Sequence, residues 1–228
     1  MTSPTPTPVP ASAPVGLTKP RLRGVSHRYA FFVSIVFAAV IIAAAPSGLA
    51  TFGVVVYGVT MVGMFGASAL YHGPNWSVRN AARFLRIDHT AIFLFIAGTA
   101  TPILLLTSTG AMRAIVLSVV WCIALGGVVF EWLPIRAPRG YVTTVYLVLG
   151  WVCLLALGDL WRETGVGGVV LVAAGGVLYT AGAIVHAAHR PDPWPLVFGY
   201  HEIFHLLVIG AVVLHYCAIA FCVLPLAS

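Results

Sequence analysis

The sequence predicts an all-α membrane protein, a bundle of seven transmembrane helices with a cytoplasmic N-terminus and an external C-terminus, and three observations carry that expectation. The 228-residue chain is 60% hydrophobic and 8% charged, with a mean hydropathy of +1.00. That leaves too little polar surface to solvate a water-soluble domain. Its apolar residues run in long unalternating stretches rather than with the period of two of a barrel strand, so helices must satisfy the backbone in lipid. Its basic residues, finally, are concentrated in alternate loops.

About 20 apolar residues are needed to cross about 30 Å of hydrocarbon. Stretches of that kind lie near 29–46, 51–72, 89–107, 112–133, 141–158, 166–189 and 200–224. Turn-formers punctuate them in order: Pro46-Ser47-Gly48, Gly73-Pro74-Asn75, Thr109-Gly110, Pro134 to Gly140, Gly165 to Gly168, and the run from Pro191 to Pro195. None of these breaks is long enough for a separate domain, so residues 19–228 are expected to form one transmembrane unit. Residues 1–18 are rich in Pro and Thr and carry no charge, which predicts a disordered cytoplasmic tail with nothing to bury. The small-residue segment Ala11-Ser12-Ala13 precedes both the basic cluster and the first span, the wrong order for signal-peptide cleavage.

Orientation follows from the cations. With the N-terminus inside, Lys19, Arg21, Arg23, Arg28, Arg79, Arg83, Arg86, Arg136, Arg139 and Arg190 fall on the cytoplasmic side, against Arg113 and Arg162 outside. The same distribution accounts for the net charge of +6 without a nucleic-acid partner, which would need a contiguous basic face. Cys122, Cys153, Cys217 and Cys222 all lie within expected spans and form no close pair, so packing rather than a disulfide or thiolate metal site is expected. Small residues on the sixth span, Gly175, Gly176 and Gly182, permit close helix approach. Trp76, Trp132, Tyr141, Trp161, Trp194 and Tyr200 sit near span ends as interfacial anchors.

An ionisable group at membrane depth is costly and therefore informative. Ser68, His72, Asp88, His201, Glu202 and His205 stand out, because the second, third and seventh spans all present their ends to the cytoplasmic leaflet. His201 and His205 are four apart, which stacks them on one helix face about 6 Å apart, a chelating spacing. Ser68 and His72 repeat that spacing and offer a third imidazole with a hydroxyl one turn deeper. Three neutral imidazoles leave the fourth tetrahedral position of Zn2+ open, as in catalytic sites. Asp88, at the same depth, can take a proton from water or orient it there. His186 with His189, and His89 and His215, are expected outside this site; the role of His27, at the start of the first span, stays open.

The segments SALYH (68–72), RFLRIDHTAIFLFIAGTATP (83–102) and GYHEIFHLLVIGAVVLHY (199–216) resemble the hemolysin III branch of the progestin and adipoQ receptor superfamily, in that family's order and spacing. The resemblance implies His72, His201 and His205 as zinc ligands, with Asp88 and Ser68 holding the water at the metal. It also implies kinship of site design with alkaline ceramidases, hence hydrolysis of a lipid amide such as a ceramide with Asp88 as base, and roles in membrane lipid and fluidity homeostasis. His27 matches the family's first-span Ser-His position, but the acidic residue often found just before it is missing, and Leu22, Arg23 and Gly24 stand there instead.

Three other readings compete. His201-Glu202-Ile203-Phe204-His205 satisfies the H-E-x-x-H pattern of zinc metalloproteases, in which Glu202 would be the base. Zinc can instead tie the second, third and seventh spans together without turnover, in a receptor or fluidity sensor. A pore-forming cytolysin, which the hemolysin label invites, fits poorly with seven constitutive spans and no soluble phase.

Overall fold

The computed structural model describes residues 19–46, 48–135, 138 and 140–227, and the predicted tail over 1–18 lies outside them. Among the described residues every regular element is helical. Helix α1 covers Val25–Ala44, α2 Leu49–His72, α3 Val78–Thr107, α4 Gly110–Trp132, α5 Tyr141–Trp151, α6 Leu157–Ala188 and α7 Tyr200–Ala218; a 3-10 turn joins α5 to α6, and π and 3-10 turns extend α7 to Ala227. Large apolar side chains cover the outside, and several polar groups are buried. Phe32, Val36, Val40, Val129 and Phe221 point outward, whereas Ser68, His72, Asp88, Glu202 and His205 are buried.

Six stretches are long and apolar enough to cross a membrane, against the seven expected, because Tyr141–Ala188 reads as one continuous stretch of 48 residues. The predicted break from Gly165 to Gly168 shrinks to a single residue. Gly165 adopts φ 63° and ψ −160°, a conformation open essentially to glycine alone, and helical hydrogen bonding resumes directly on either side. Between residues 151 and 180, which bracket Gly165, the chain doubles back, since Trp151 Nε1 donates to Thr180 Oγ1 at 3.2 Å. A second departure concerns α3. It starts at Val78, capped by the Ser77 hydroxyl accepting from the Asn80 amide, so Asp88 lies about three turns inside the helix rather than at its beginning.

Glycines set the helix contacts that position the polar residues. A Cβ on Gly53 would stand 2.9 Å from Pro102 Cα, and one on Gly98 would collide with Thr60, so α2 and α3 approach backbone to backbone. Gly175 makes room for the His215 ring, and Gly182 for Phe204 and Leu207, as the small residues of the sixth span suggest. A Cβ on Gly24, at φ 75°, would collide with His72, which presses the start of α1 against the end of α2. The buried side chains fall into one core among α1, α2, α3, α6 and α7, around Ile41, Val54, Tyr57, Met61 and Ile219. A second lies among α3, α4 and α5 around Ala97, Leu104, Val120 and Leu149.

Candidate metal centre

The C-terminal end of α2 and the N-terminal end of α7 meet at one end of the bundle, and their histidines meet with them. Ligand nitrogens of His72, His201 and His205 all lie within 4.8 Å of one another, with His72 Nε2 and His201 Nε2 3.1 Å apart. The three rings come from two helices far apart in sequence, and His72 and His205 are buried. Such a triad can hold a metal ion.

Around it sit the other polar residues of the same depth. Ser68, one turn before His72, places its Oγ 2.8 Å from His27 Nδ1. His27 is thereby drawn into the cluster, and its ring stacks on His205 with centroids 3.8 Å apart and planes 8° from parallel. Asp88, from α3, lines the same cavity as Ser68 and the three histidines, and its Oδ1 is buried without a hydrogen-bond partner among the described residues. Burying a carboxylate oxygen unpaired is expensive. Ser68, His72, Asp88, His201 and His205, five of the six residues that stand out in the sequence, line one cavity.

Glu202 behaves differently. Its Oε1 accepts from Arg23 Nε at 2.5 Å and its Oε2 from the Gly199 amide at 2.8 Å. Both oxygens are committed, one to an ion pair with the segment before α1 and one to capping α7. The backbone adds two bonds at the same junction, Arg21 N to Leu196 O and Leu22 N to Val197 O, each at 3.0 Å. Arg23, standing where the resemblance led one to look for an acid, supplies the charge that buried Glu202 requires.

The remaining histidines divide. His215 makes an interhelical hydrogen bond, Nε2 donating to Val172 O at 3.1 Å, and His89 pairs with Glu131 at 2.9 Å; both stand outside the triad, as expected. His186 is closer than its sequence position suggested, with its ring centroid 5.2 Å from that of His201. A cavity of about 900 Å³ opens from the histidines into the bundle, lined by apolar side chains such as Phe95, Ile96, Ile103, Leu104 and Val208 as well as by Asp88, His201 and His205.

Comparison with known proteins adds the context. The sequence model of the family described as haemolysin-III related matches residues 15–216. Hemolysin-3 of Bacillus cereus is 36% identical over 145 residues, 64% of each chain. The Hemolysin-3 homolog of Bacillus subtilis (strain 168) is 36% identical over 138 residues, 60% of this chain and 62% of that one. The human Monocyte to macrophage differentiation factor is 25% identical over 160 residues, 68% of this chain and 64% of its own. The matched stretch therefore spans a little under two thirds of the length of each of these relatives.

Proposed function

The chain belongs to the haemolysin-III related family and is a multi-pass integral membrane protein, and from that premise and the histidine triad we infer that it is a zinc-dependent hydrolase of lipid amides. The single observation that supports this most is the pairing of a three-imidazole cluster with Asp88, which lines the same cavity and whose Oδ1 is buried without a hydrogen-bond partner among the described residues. A closed structural site would need a fourth protein ligand, whereas three imidazoles leave one position open. One pair of the donor set also fits in size: two ligand nitrogens of tetrahedral zinc stand about 3.3 Å apart for Zn–N bonds of about 2.0–2.1 Å, and His72 and His201 present theirs at 3.1 Å, with all three donors within 4.8 Å of one another.

In this reading His72, His201 and His205 hold Zn2+, which supplies Lewis-acid polarisation of a carbonyl and acidifies water. Ser68, fixed by His27, orients the attacking water, and Asp88 Oδ1 takes its proton. Water oxygen bonds to the amide carbon, the C–N bond breaks, and Asp88 returns the proton to the departing nitrogen. The acyl chain occupies the cavity of about 900 Å³, whose apolar wall keeps bulk water out. Seven crossings complete the proposal: the stretch from Tyr141 to Ala188 passes out and back with its turn at Gly165, N-terminus inside and C-terminus outside.

Metal analysis of detergent-purified protein tests the centre, with wild type beside His205→Ala and no chelating resin in the preparation. About one zinc per chain, lost in the variant, is the expected result; a wild type without metal sinks the proposal. Hydrolysis of a ceramide then tests the chemistry. Asp88→Asn should keep its zinc and lose roughly 10²–10⁴-fold in rate, the usual worth of a positioned base. A non-catalytic, zinc-stabilised sensor is the second reading, favoured by ligands that tie α2 to α7. It takes over if zinc raises the unfolding temperature while no lipid amide turns over.

A further inference from the structure

Beside the entrance to the histidine cavity lies a second, smaller one that the hydrolytic reading does not use. Its volume is about 370 Å³, and Lys19, Arg21, Arg23 and Arg28 line it together with Gly24, Val25, Gly73 and Asn75; no acidic side chain is among its lining residues. Arg23 is engaged by Glu202. Among the described residues no carboxylate pairs with Lys19, Arg21 or Arg28. Lys19 donates to Gly73 O at 3.1 Å and to Pro74 O at 3.4 Å, which holds its ammonium at the rim. Burial and, after it, the neighbouring Arg23 guanidinium keep that ammonium below the usual lysine range, the condition of a cation lacking an anion.

Two further facts say what kind of anion fits. The small cavity and the large apolar one share Lys19, Arg23 and Asn75 as a common wall. On α1, the residues directly after Arg28 turn apolar and outward, Tyr29 at 67% and Phe32 at 61% exposure, so the basic pocket sits at the edge of the lipid-facing surface. Cations gathered at a span end are attracted to anionic headgroups, and four around one pocket offer a phosphate several charge-assisted hydrogen bonds.

We propose that this pocket seats the phosphate of an anionic lipid whose acyl chain enters the adjoining cavity past the histidines. The proposal deepens the hydrolytic reading and, in its second half, rests on it: the preferred lipid would carry a phosphate headgroup rather than the bare hydroxyl of a ceramide. The phosphate fixes the register of the chain and so the bond presented at the triad.

Native mass spectrometry of the full chain tests it, released from micelles doped with equal phosphatidylglycerol and phosphatidylcholine. Wild type should retain phosphatidylglycerol preferentially. Arg21→Gln with Arg28→Gln should cut that preference roughly thirtyfold, while Arg21→Lys with Arg28→Lys should keep most of it, which separates lost charge from lost folding. Zinc is read in the same spectra, and His205→Ala should lose the metal yet keep the lipid preference, so that failure of the pocket and failure of the metal centre are told apart. Equal retention of the two lipids by wild type, or a preference unchanged in the glutamine pair, overturns the proposal. Inorganic phosphate at millimolar concentration is the last arm: retained without any preference for phosphatidylglycerol, it overturns the lipid assignment in favour of a soluble phosphate.

Discussion

Glu202 and Asp88 are the two buried carboxylates of the described chain, and their surroundings assign them opposite work. Glu202 engages one oxygen with Arg23 and the other with Gly199, which neutralises its charge and holds α7 to the segment before α1. The metalloprotease reading of the HEIFH pattern needs that carboxylate as base and finds it committed. Glu202→Gln should therefore retain zinc and hydrolysis while lowering stability by roughly 1–3 kcal/mol, the cost of leaving the Arg23 side poorly matched. A thermal melt beside a turnover assay checks this; a variant that folds, binds zinc and hydrolyses nothing would hand the base role to Glu202. Spacing on two helices made Ser68, His72, His201 and His205 readable from sequence, because i, i+4 residues share a face whatever the tertiary structure. Arg23 was not readable, since no local pattern links it to a partner 179 positions away. The usable signal was Glu202 itself, a buried acid that demanded a cation at its own depth. His27 and His186 join the cluster through helix packing, which no periodicity encodes.

Helices enter the argument through the places where they touch. Apolar length marked nearly every span, but the boundaries moved where a single residue decided them. Ser77 caps α3, which starts at Val78, ten residues before Asp88, a polar and partly exposed lead-in that hydropathy skips. Gly165 reduces an expected loop to one residue. The contact that sets the site is that of α2 with α3, because it fixes the distance from Ser68 and His72 to Asp88. At Gly98 the contact has no room for a side chain: Thr60, whose Oγ1 is back-bonded to Val56 O at 2.8 Å and Tyr57 O at 3.0 Å, faces it directly. Gly98→Ala should cost about 1–3 kcal/mol through overpacking and lower activity by shifting Asp88. Adding Thr60→Gly should recover much of both, which a double-mutant cycle of melting temperature and turnover measures. An additive pair would mean that the two helices do not meet there.

For the whole molecule, the question is how often the chain crosses. At one end of the stretch from Tyr141 to Ala188, Tyr141 packs on Phe130 near the end of α4 where Glu131 holds His89, the neighbour of Asp88. At its other end, His189 packs on Tyr200 beside the triad. Both ends of the stretch therefore lie at the metal centre's end of the bundle, and the 48 residues of the stretch must go away and return. At about 1.5 Å per residue they supply some 70 Å, enough to cross about 30 Å of hydrocarbon twice. The stretch comprises α5, a 3-10 turn and α6 with a non-helical Gly165 inside it, and the proposed seven-span arrangement has each side of that glycine cross once. The expected topology places Thr109 and Gly167 on one side of the membrane and Asn75 and Leu196 on the other, with the cations on the second side. Single cysteines at these four positions, in a chain whose Cys122, Cys153, Cys217 and Cys222 are replaced by alanine, can be labelled in sealed cells with a membrane-impermeant maleimide. Positions 109 and 167 should label at once, and 75 and 196 only after permeabilisation. Should 167 behave like 75, the stretch does not traverse the bilayer between Tyr141 and Gly165, and the seven-span arrangement falls while the histidine triad, which depends only on α2 and α7, stands.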